Sequence, residues 1–94
     1  MRRKDKIVEM ARKMAGTDIT VRPDDVDAIL EAGWDGIKAG TVVYKDRIQD
    51  ATKIYTKASD NEISANGKKV TITEAQKNNM VDTYALISII GPKG

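Results

Sequence analysis

In its second half the chain reads Glu62-Ile63-Ser64-Ala65-Asn66-Gly67-Lys68-Lys69-Val70-Thr71-Ile72. Apolar and polar residues alternate on both sides of Asn66-Gly67, which is typical of two half-buried strands. A two-residue turn of type I′ needs positive φ at both central positions, and the Asn-Gly pair adopts these angles at low cost. The sequence therefore predicts a β-hairpin over residues 62–72.

A C-terminal helix is predicted directly after the hairpin, over residues 73–90. Thr73 can cap it together with Glu74 or Gln76, and Gly91-Pro92 ends it. Its last turn and a half is apolar nearly all round, so either the domain wraps it or it meets another chain. We expect it to pair two chains through Leu86, Ile87, Ile89 and Ile90.

A long helix is predicted before the hairpin, from about Thr41 to Ala58. Its evidence is an apolar stripe at helical spacing, formed by Tyr44, Ile48, Ala51, Tyr55 and Ala58. The flank beside this stripe contains no acid and consists of Lys38, Thr41, Lys45, Gln49, Thr52, Lys53 and Thr56. Such a flank can contact DNA phosphates and base edges, although a solvated helix face has the same composition.

The N-terminal half predicts three shorter elements. A first helix covers residues 3–15, with Gly16 as its C-terminal cap. Three β-branched residues in a row at Ile19–Val21 favour a short strand. A second helix starts near Pro23 and breaks around residues 32–36, where two glycines weaken it.

Composition bounds the class of protein. The chain has 94 residues, of which 40% are apolar and 32% charged, so we expect one domain over residues 1–94. It has no cysteine and no histidine, which excludes a disulfide framework, thiolate or imidazole metal ligands and histidine-based catalysis. The paired carboxylates look like helix-surface charge, and the oxygen-rich residues 60–67 lack the spacing of an EF-hand loop. We therefore expect no catalytic residues, no metal and no cofactor.

The same sequence contains no apolar run near the roughly 20 residues needed to span a bilayer. No apolar signal-peptide core follows the basic start. We expect a cytoplasmic protein without a membrane partner.

Charge is uneven along the chain, although the net charge is +2. Residues 1–17 carry a balance of +4, residues 18–35 of −5, and the remainder of +3. An acidic block between two basic ones would orient a polyanion such as nucleic acid, although solvated helix faces produce the same unevenness.

The order helix, short strand, helix, helix, β-hairpin, helix resembles the winged helix-turn-helix superfamily. This resemblance implies an α+β, mainly helical fold of order α-β-α-α-β-β-α. It also implies that the third helix reads the major groove, that Ser64–Val70 form the wing, and that the strand Ile19–Val21 closes a small sheet against the hairpin.

The function expected from this resemblance is that of a small accessory or regulatory DNA-binding protein of a plasmid, phage or bacterial operon, acting as a homodimer. Residues 1–5 would form a mobile basic arm. The expected contacts to double-stranded DNA are Arg2, Arg3, Lys38, Thr41, Lys45, Gln49, Lys53, Asn66, Lys68 and Lys69. The alternative is a homo-oligomeric structural or adaptor protein, such as a small phage assembly component, that uses the apolar last helix.

The predicted elements also give a predicted core. Its members are the apolar residues on the inward stripes of the helices and strands: Ile7, Met10, Ala11, Met14, Val26, Ile29, Leu30, Trp34, Tyr44, Ile48, Ala51, Tyr55, Ile63, Val70, Ile72, Val81 and Tyr84.

Overall fold

The computed structural model describes residues 2–15, 19–21, 26–47 and 50–92. It confirms the α+β class. The elements in chain order are α1 (Arg3–Ala15), β1 (Ile19–Val21), α2 (Val26–Ala32), a 3-10 helix (Trp34–Gly36), β2 (Val42–Lys45), β3 (Ile54–Ser59), β4 (Glu62–Ala65), β5 (Lys68–Thr71), α3 (Glu74–Ile89) and β6 (Ile90–Pro92).

Strands β2 to β5 form one antiparallel sheet in chain order. The predicted hairpin is confirmed as its outer half, since Ala65 lies opposite Lys68 across the turn. Asn66 and Gly67 have φ of 53° and 86°, the positive values that a type I′ turn requires. The hairpin is thus one half of a four-stranded sheet rather than a separate wing.

The predicted helix over residues 41–58 is wrong. Residues 42–45 and 54–59 are the paired strands β2 and β3. Both are rich in β-branched and aromatic side chains, which lose rotamer freedom in a helix and pack well on a pleated sheet. The winged-helix order α-β-α-α-β-β-α therefore lacks its third helix, and the helical spacing that predicted it was coincidental.

Strand β1 exists as predicted, but its partner is different. It pairs antiparallel with β6, so that Thr20 lies opposite Gly91, and it does not join the hairpin. The chain can make this pairing because Ile90 leaves the helix with extended backbone angles. Helix α3 accordingly ends at Ile89, one residue before the predicted end.

The other helices follow their local signals. The first helix has its predicted bounds. Helix α2 stops at Ala32, where Gly33 has a φ of 68° that residues with a Cβ rarely adopt. Thr73 and Gln76 form the predicted capping box at the start of α3. The predicted cap at Gly16 and the predicted helix start at Pro23 lie outside the described residues.

Among the described residues, two apolar clusters form the core. The helical cluster lies between the three α-helices and contains Ile7, Ala11, Val26, Ala85, Leu86 and Ile89. The sheet cluster lies between the sheet, the 3-10 helix and α3, and contains Trp34, Ile37, Val43, Ile63, Ile72 and Val81. Helix α3 contributes to both, so it joins the two halves of the molecule.

Part of the predicted core is confirmed. The buried members are Ile7, Ala11, Val26, Trp34, Ile63, Ile72 and Val81, and the partly buried ones are Ile29, Leu30, Tyr44, Ala51, Tyr55 and Tyr84. The prediction is wrong for three residues, Met10, Met14 and Val70, which have 54%, 41% and 46% of their surface exposed. Ile48 lies outside the described residues. The methionines are exposed because α1 packs on one side only, through Ile7 and Ala11.

Candidate functional site

The order of strands β2 to β5 brings several cations to one end of the antiparallel sheet. Because neighbouring strands run in opposite directions, the β2–β3 connection and the β4–β5 turn lie at the same end. Lys45 ends β2, Arg47 and Lys53 lie in the connection to β3, and Lys68 and Lys69 begin β5. We call these five residues the basic end.

The strand register directs these cations to both faces of the sheet. Lys68 lies opposite Ala65, which in turn lies opposite Tyr55. Lys69 is in the neighbouring row with Ser64 and Thr56. Since successive residues of a strand point to opposite faces, Lys68 and Lys69 project from opposite faces of the sheet.

The basic end carries a surplus of positive charge. Two acids, Asp46 and Asp50, lie in the β2–β3 connection against the five cations, which leaves a local balance of +3. Within the ranges that the structure describes, none of the five cations forms a salt bridge. All except Lys45, which is partly buried, are exposed to solvent.

Asp46 orders the connection rather than neutralising these cations. Its carboxylate accepts hydrogen bonds from the Thr52 hydroxyl at 2.6 Å, the Thr52 amide at 2.9 Å and the Lys53 amide at 3.1 Å. The Thr52 hydroxyl bond, followed by the Lys53 amide bond, holds the pKa of Asp46 below its ordinary value. The ionised carboxylate thus fixes the backbone from which Lys53 projects.

A tyrosine pair stiffens the strands just inside the basic end. Tyr44 and Tyr55 lie opposite each other on β2 and β3, and their rings stack with centroids 4.8 Å apart at an angle of 22°. Cross-strand aromatic pairs of this kind stabilise a sheet by up to about 1 kcal/mol. Lys45, which follows Tyr44 and lies opposite Ile54, is therefore held on a paired strand.

The opposite end of the sheet is fastened to the rest of the molecule, and we call it the anchored end. The Trp34 indole donates to the carbonyl of Asp60 at 2.8 Å, in the turn between β3 and β4. The Lys77 ammonium donates to the Asn61 side chain at 2.9 Å. The Lys57 ammonium donates to the Trp34 carbonyl at 2.7 Å, and lies 4.9 Å from the centroid of the Trp34 ring.

The structure brings together half of the predicted DNA-contacting residues. The five that meet at the basic end are Lys45, Lys53, Asn66, Lys68 and Lys69. Lys38 and Thr41 precede β2 and so lie towards the anchored end, Arg2 and Arg3 lie at the start of α1, and Gln49 is outside the described residues. Arg47 is a member of the basic end that was not predicted. Its position in the sequence, between the predicted contacts Lys45 and Lys53, could have indicated it.

The predicted basic arm over residues 1–5 is wrong for its described part. The Arg3 guanidinium pairs with Asp82 of α3 and donates to the Asn78 carbonyl at 3.2 Å. The Arg2 carbonyl accepts the Lys6 amide at 3.0 Å, so the helical hydrogen bonding begins there. Arg3 is held on α3 because its guanidinium finds acceptors on that helix.

The residues predicted to form the dimer contact lie at the end of α3 and the start of β6. Leu86 and Ile89 are buried in the helical cluster of a single chain, because α1 and α2 pack around the last turns of α3. Ile87 and Ile90 are partly exposed. The apolar end of α3 is thus wrapped by its own domain.

Comparison with protein-family models, with curated proteins and with solved structures finds no match to this chain. Among the described helices, none combines the length and the apolar character required to cross a membrane.

Proposed function

We propose that this chain is a small, non-enzymatic DNA-binding protein that contacts duplex DNA through the basic end. The observation that carries the proposal is the meeting of Lys45, Arg47, Lys53, Lys68 and Lys69 at one end of the sheet, without salt bridges to the described acids. Unpaired cations bind phosphates by releasing the counterions that DNA condenses.

The basic end carries cations on both faces of the sheet. A DNA groove has a phosphate backbone on each side, so these cations could contact both backbones at once. The major groove of B-DNA is about 12 Å wide and admits a two-stranded β-ribbon. The tight Asn66-Gly67 turn gives the β4–β5 hairpin a slim tip for such an insertion. Of the winged-helix resemblance, this proposal retains the hairpin contact and does not require a recognition helix.

The expected binding is dominated by the DNA backbone. Lysine and arginine contacts to phosphates position a protein but carry no sequence information. We therefore expect similar affinity for unrelated duplexes of equal length, as in an accessory protein rather than a sequence-specific repressor.

The test is fluorescence anisotropy of a labelled duplex titrated with the protein at several salt concentrations. Each neutralised phosphate contributes about −0.9 to the slope of log affinity against log salt, so five contacts give about −4.5. Affinity then falls roughly 500-fold between 50 and 200 mM salt. Absence of binding at 50 mM salt would exclude the proposal.

A charge-matched pair of variants locates the contact. Lys68→Glu with Lys69→Glu removes two cations of the basic end, and we expect duplex affinity to fall by at least about tenfold at 50 mM salt. The control, Arg12→Glu with Lys38→Glu, changes two exposed cations elsewhere by the same net charge. Equal losses in both variants would show that net charge alone governs binding, and would exclude a contact at the basic end.

A further inference from the structure

Helix α1 exposes two methionines to solvent. Met10 and Met14 lie one turn apart on the same face, with 54% and 41% of their surface exposed. Lys6 and Lys13 flank them on this face and are exposed as well. We call Lys6, Met10, Lys13 and Met14 the methionine face. Methionine is flexible and polarisable, which makes it a frequent residue at protein contacts.

A second apolar feature lies between α2, the 3-10 helix and α3. It is a cleft of about 170 Å³ lined by Ala28, Ile29, Ala32, Gly33, Gly36, Ile37 and Tyr84. We call it the alanine cleft. Its depth comes from residues with small side chains, and an engineered cavity of about 150 Å³ holds a benzene molecule. One unbranched apolar side chain therefore fits.

The two features carry opposite charge. Glu31 neighbours Ala32 on α2, and Asp35 neighbours Gly36 in the 3-10 helix, and both acids are exposed. Over residues 26–40 the chain carries three acids against one base, Lys38. One of these acids, Asp27, is paired with Lys4 of α1 at 2.9 Å, which leaves Glu31 and Asp35 as the acids that flank the cleft in the sequence. The charged members of the methionine face are lysines, of which Lys13 lies 3.7 Å from Glu9. Asp82 of α3, which lines the same pocket as Met10, is paired with Arg3.

We propose that the methionine face of one copy docks into the alanine cleft of a second copy. Met10 would fill the cleft while Lys6 and Lys13 approach Glu31 and Asp35. Both features are accessible in a single chain, since Met10 is exposed and the cleft opens to solvent. The contact is independent of the basic end, and it differs from the dimer that the apolar last helix predicted.

The two docking surfaces are different parts of the chain, so the contact is heterologous. A heterologous contact leaves one free methionine face and one free cleft on every dimer. Further copies then add until a ring closes or a filament forms. The assembly is therefore a head-to-tail chain of copies rather than a symmetric pair.

The experiment measures mass by light scattering over a wide range of protein concentration. We expect the wild-type mass to rise with concentration beyond that of two chains. Met10→Asp removes the inserted side chain and Ala28→Glu blocks the cleft, so each variant should remain a monomer. An equimolar mixture of the two should form a dimer and nothing larger, because each variant retains one intact surface.

The mixture separates loss of contact from loss of folding, since a misfolded variant could not restore a dimer. The matched control is Val70→Asp, which adds an acid at an exposed apolar position of β5 and should assemble as the wild type does. A monomeric wild type at the highest concentration, a Met10→Asp variant that assembles normally, or a mixture that stays monomeric would each overturn the proposal.

Discussion

The Lys57 side chain is buried, with 5% of its surface exposed. Burial of an ammonium group is costly unless hydrogen bonds and charge replace its water. Here the carbonyls of Trp34 and Ile37 accept from it at 2.7 and 2.8 Å, and the Trp34 ring provides a cation–π contact. One lysine thereby fastens the 3-10 helix to the middle strands of the sheet.

Replacing Lys57 by methionine should destabilise the protein although it removes a buried charge. The Trp34 carbonyl keeps the Ile37 amide as a donor, whereas the Ile37 carbonyl loses its donor. A buried carbonyl without a hydrogen-bond donor lowers the unfolding free energy by about 1–3 kcal/mol. Urea denaturation followed by the fluorescence of Trp34 measures this, with Lys53→Met at an exposed position as the control. Equal stability of the two variants would contradict the fastening role.

Asp46 gives the β2–β3 connection a dependence on pH. Because its folded pKa lies below the ordinary value of 3.8, the ionised form contributes fully above that value. The contribution disappears as pH falls through the lowered folded pKa. We expect the amide resonances of Thr52 and Lys53 to shift on acidification with a midpoint below 3.8. These shifts should vanish in Asp46→Asn, and a midpoint at or above 3.8 would contradict the hydrogen bonding described.

At the scale of elements, the β4–β5 turn depends on two positive φ angles. Gly67 has a φ of 86°, and a Cβ placed there would meet no neighbouring atom. The cost of Gly67→Ala is therefore backbone strain, about 1–2 kcal/mol. Asn66→Gly accepts the same φ without strain and should leave stability nearly unchanged. Thermal denaturation of both variants tests this, and a Gly67→Ala protein as stable as the wild type would exclude the type I′ turn.

Elements with a local signal could be predicted from the sequence, and elements that depend on distant partners could not. The Asn66-Gly67 turn and the Thr73 cap are determined by residues that are neighbours in the sequence. The pairing of β1 with β6 joins residues about 70 positions apart, and nothing at Ile19–Val21 identifies that partner. Over residues 41–58 the spacing of apolar residues predicts a helix, whereas the β-branched and aromatic composition favours the strands that form.

The candidate site also depends on contacts between segments that are distant in the sequence. Lys45 and Lys53 were expected on one helix face, eight residues apart. They do lie at one end of the molecule, but because β2 and β3 are joined by a connection at that end. Lys68 and Lys69 reach the same end through the β4–β5 hairpin, and no single element determines that the two hairpins lie side by side. The burial of Lys57 was likewise unpredictable, since its partners are carbonyls of another segment.

At the scale of the whole molecule, α3 couples the helical cluster to the sheet cluster. Ile89 is fully buried in the first cluster, while Trp34 belongs to the second. Val81 on the same helix packs in the second cluster, so loss of α3 would expose both. We therefore expect the chain to unfold in one cooperative transition rather than in two.

Ile89→Ala tests this coupling at a distance. Removing the buried side chain should cost about 2–5 kcal/mol of unfolding free energy. Trp34 does not belong to the cluster that contains Ile89, yet its fluorescence transition in urea should shift by as much as the circular dichroism of the helices. Ile54→Ala, at an exposed position of β3, should move neither transition appreciably. A dichroism midpoint that shifts while the Trp34 midpoint stays would mean that the two clusters unfold independently, because the elements shared by both clusters, α3 together with Ile29 and Leu30 of α2, should transmit a loss at Ile89 to the sheet.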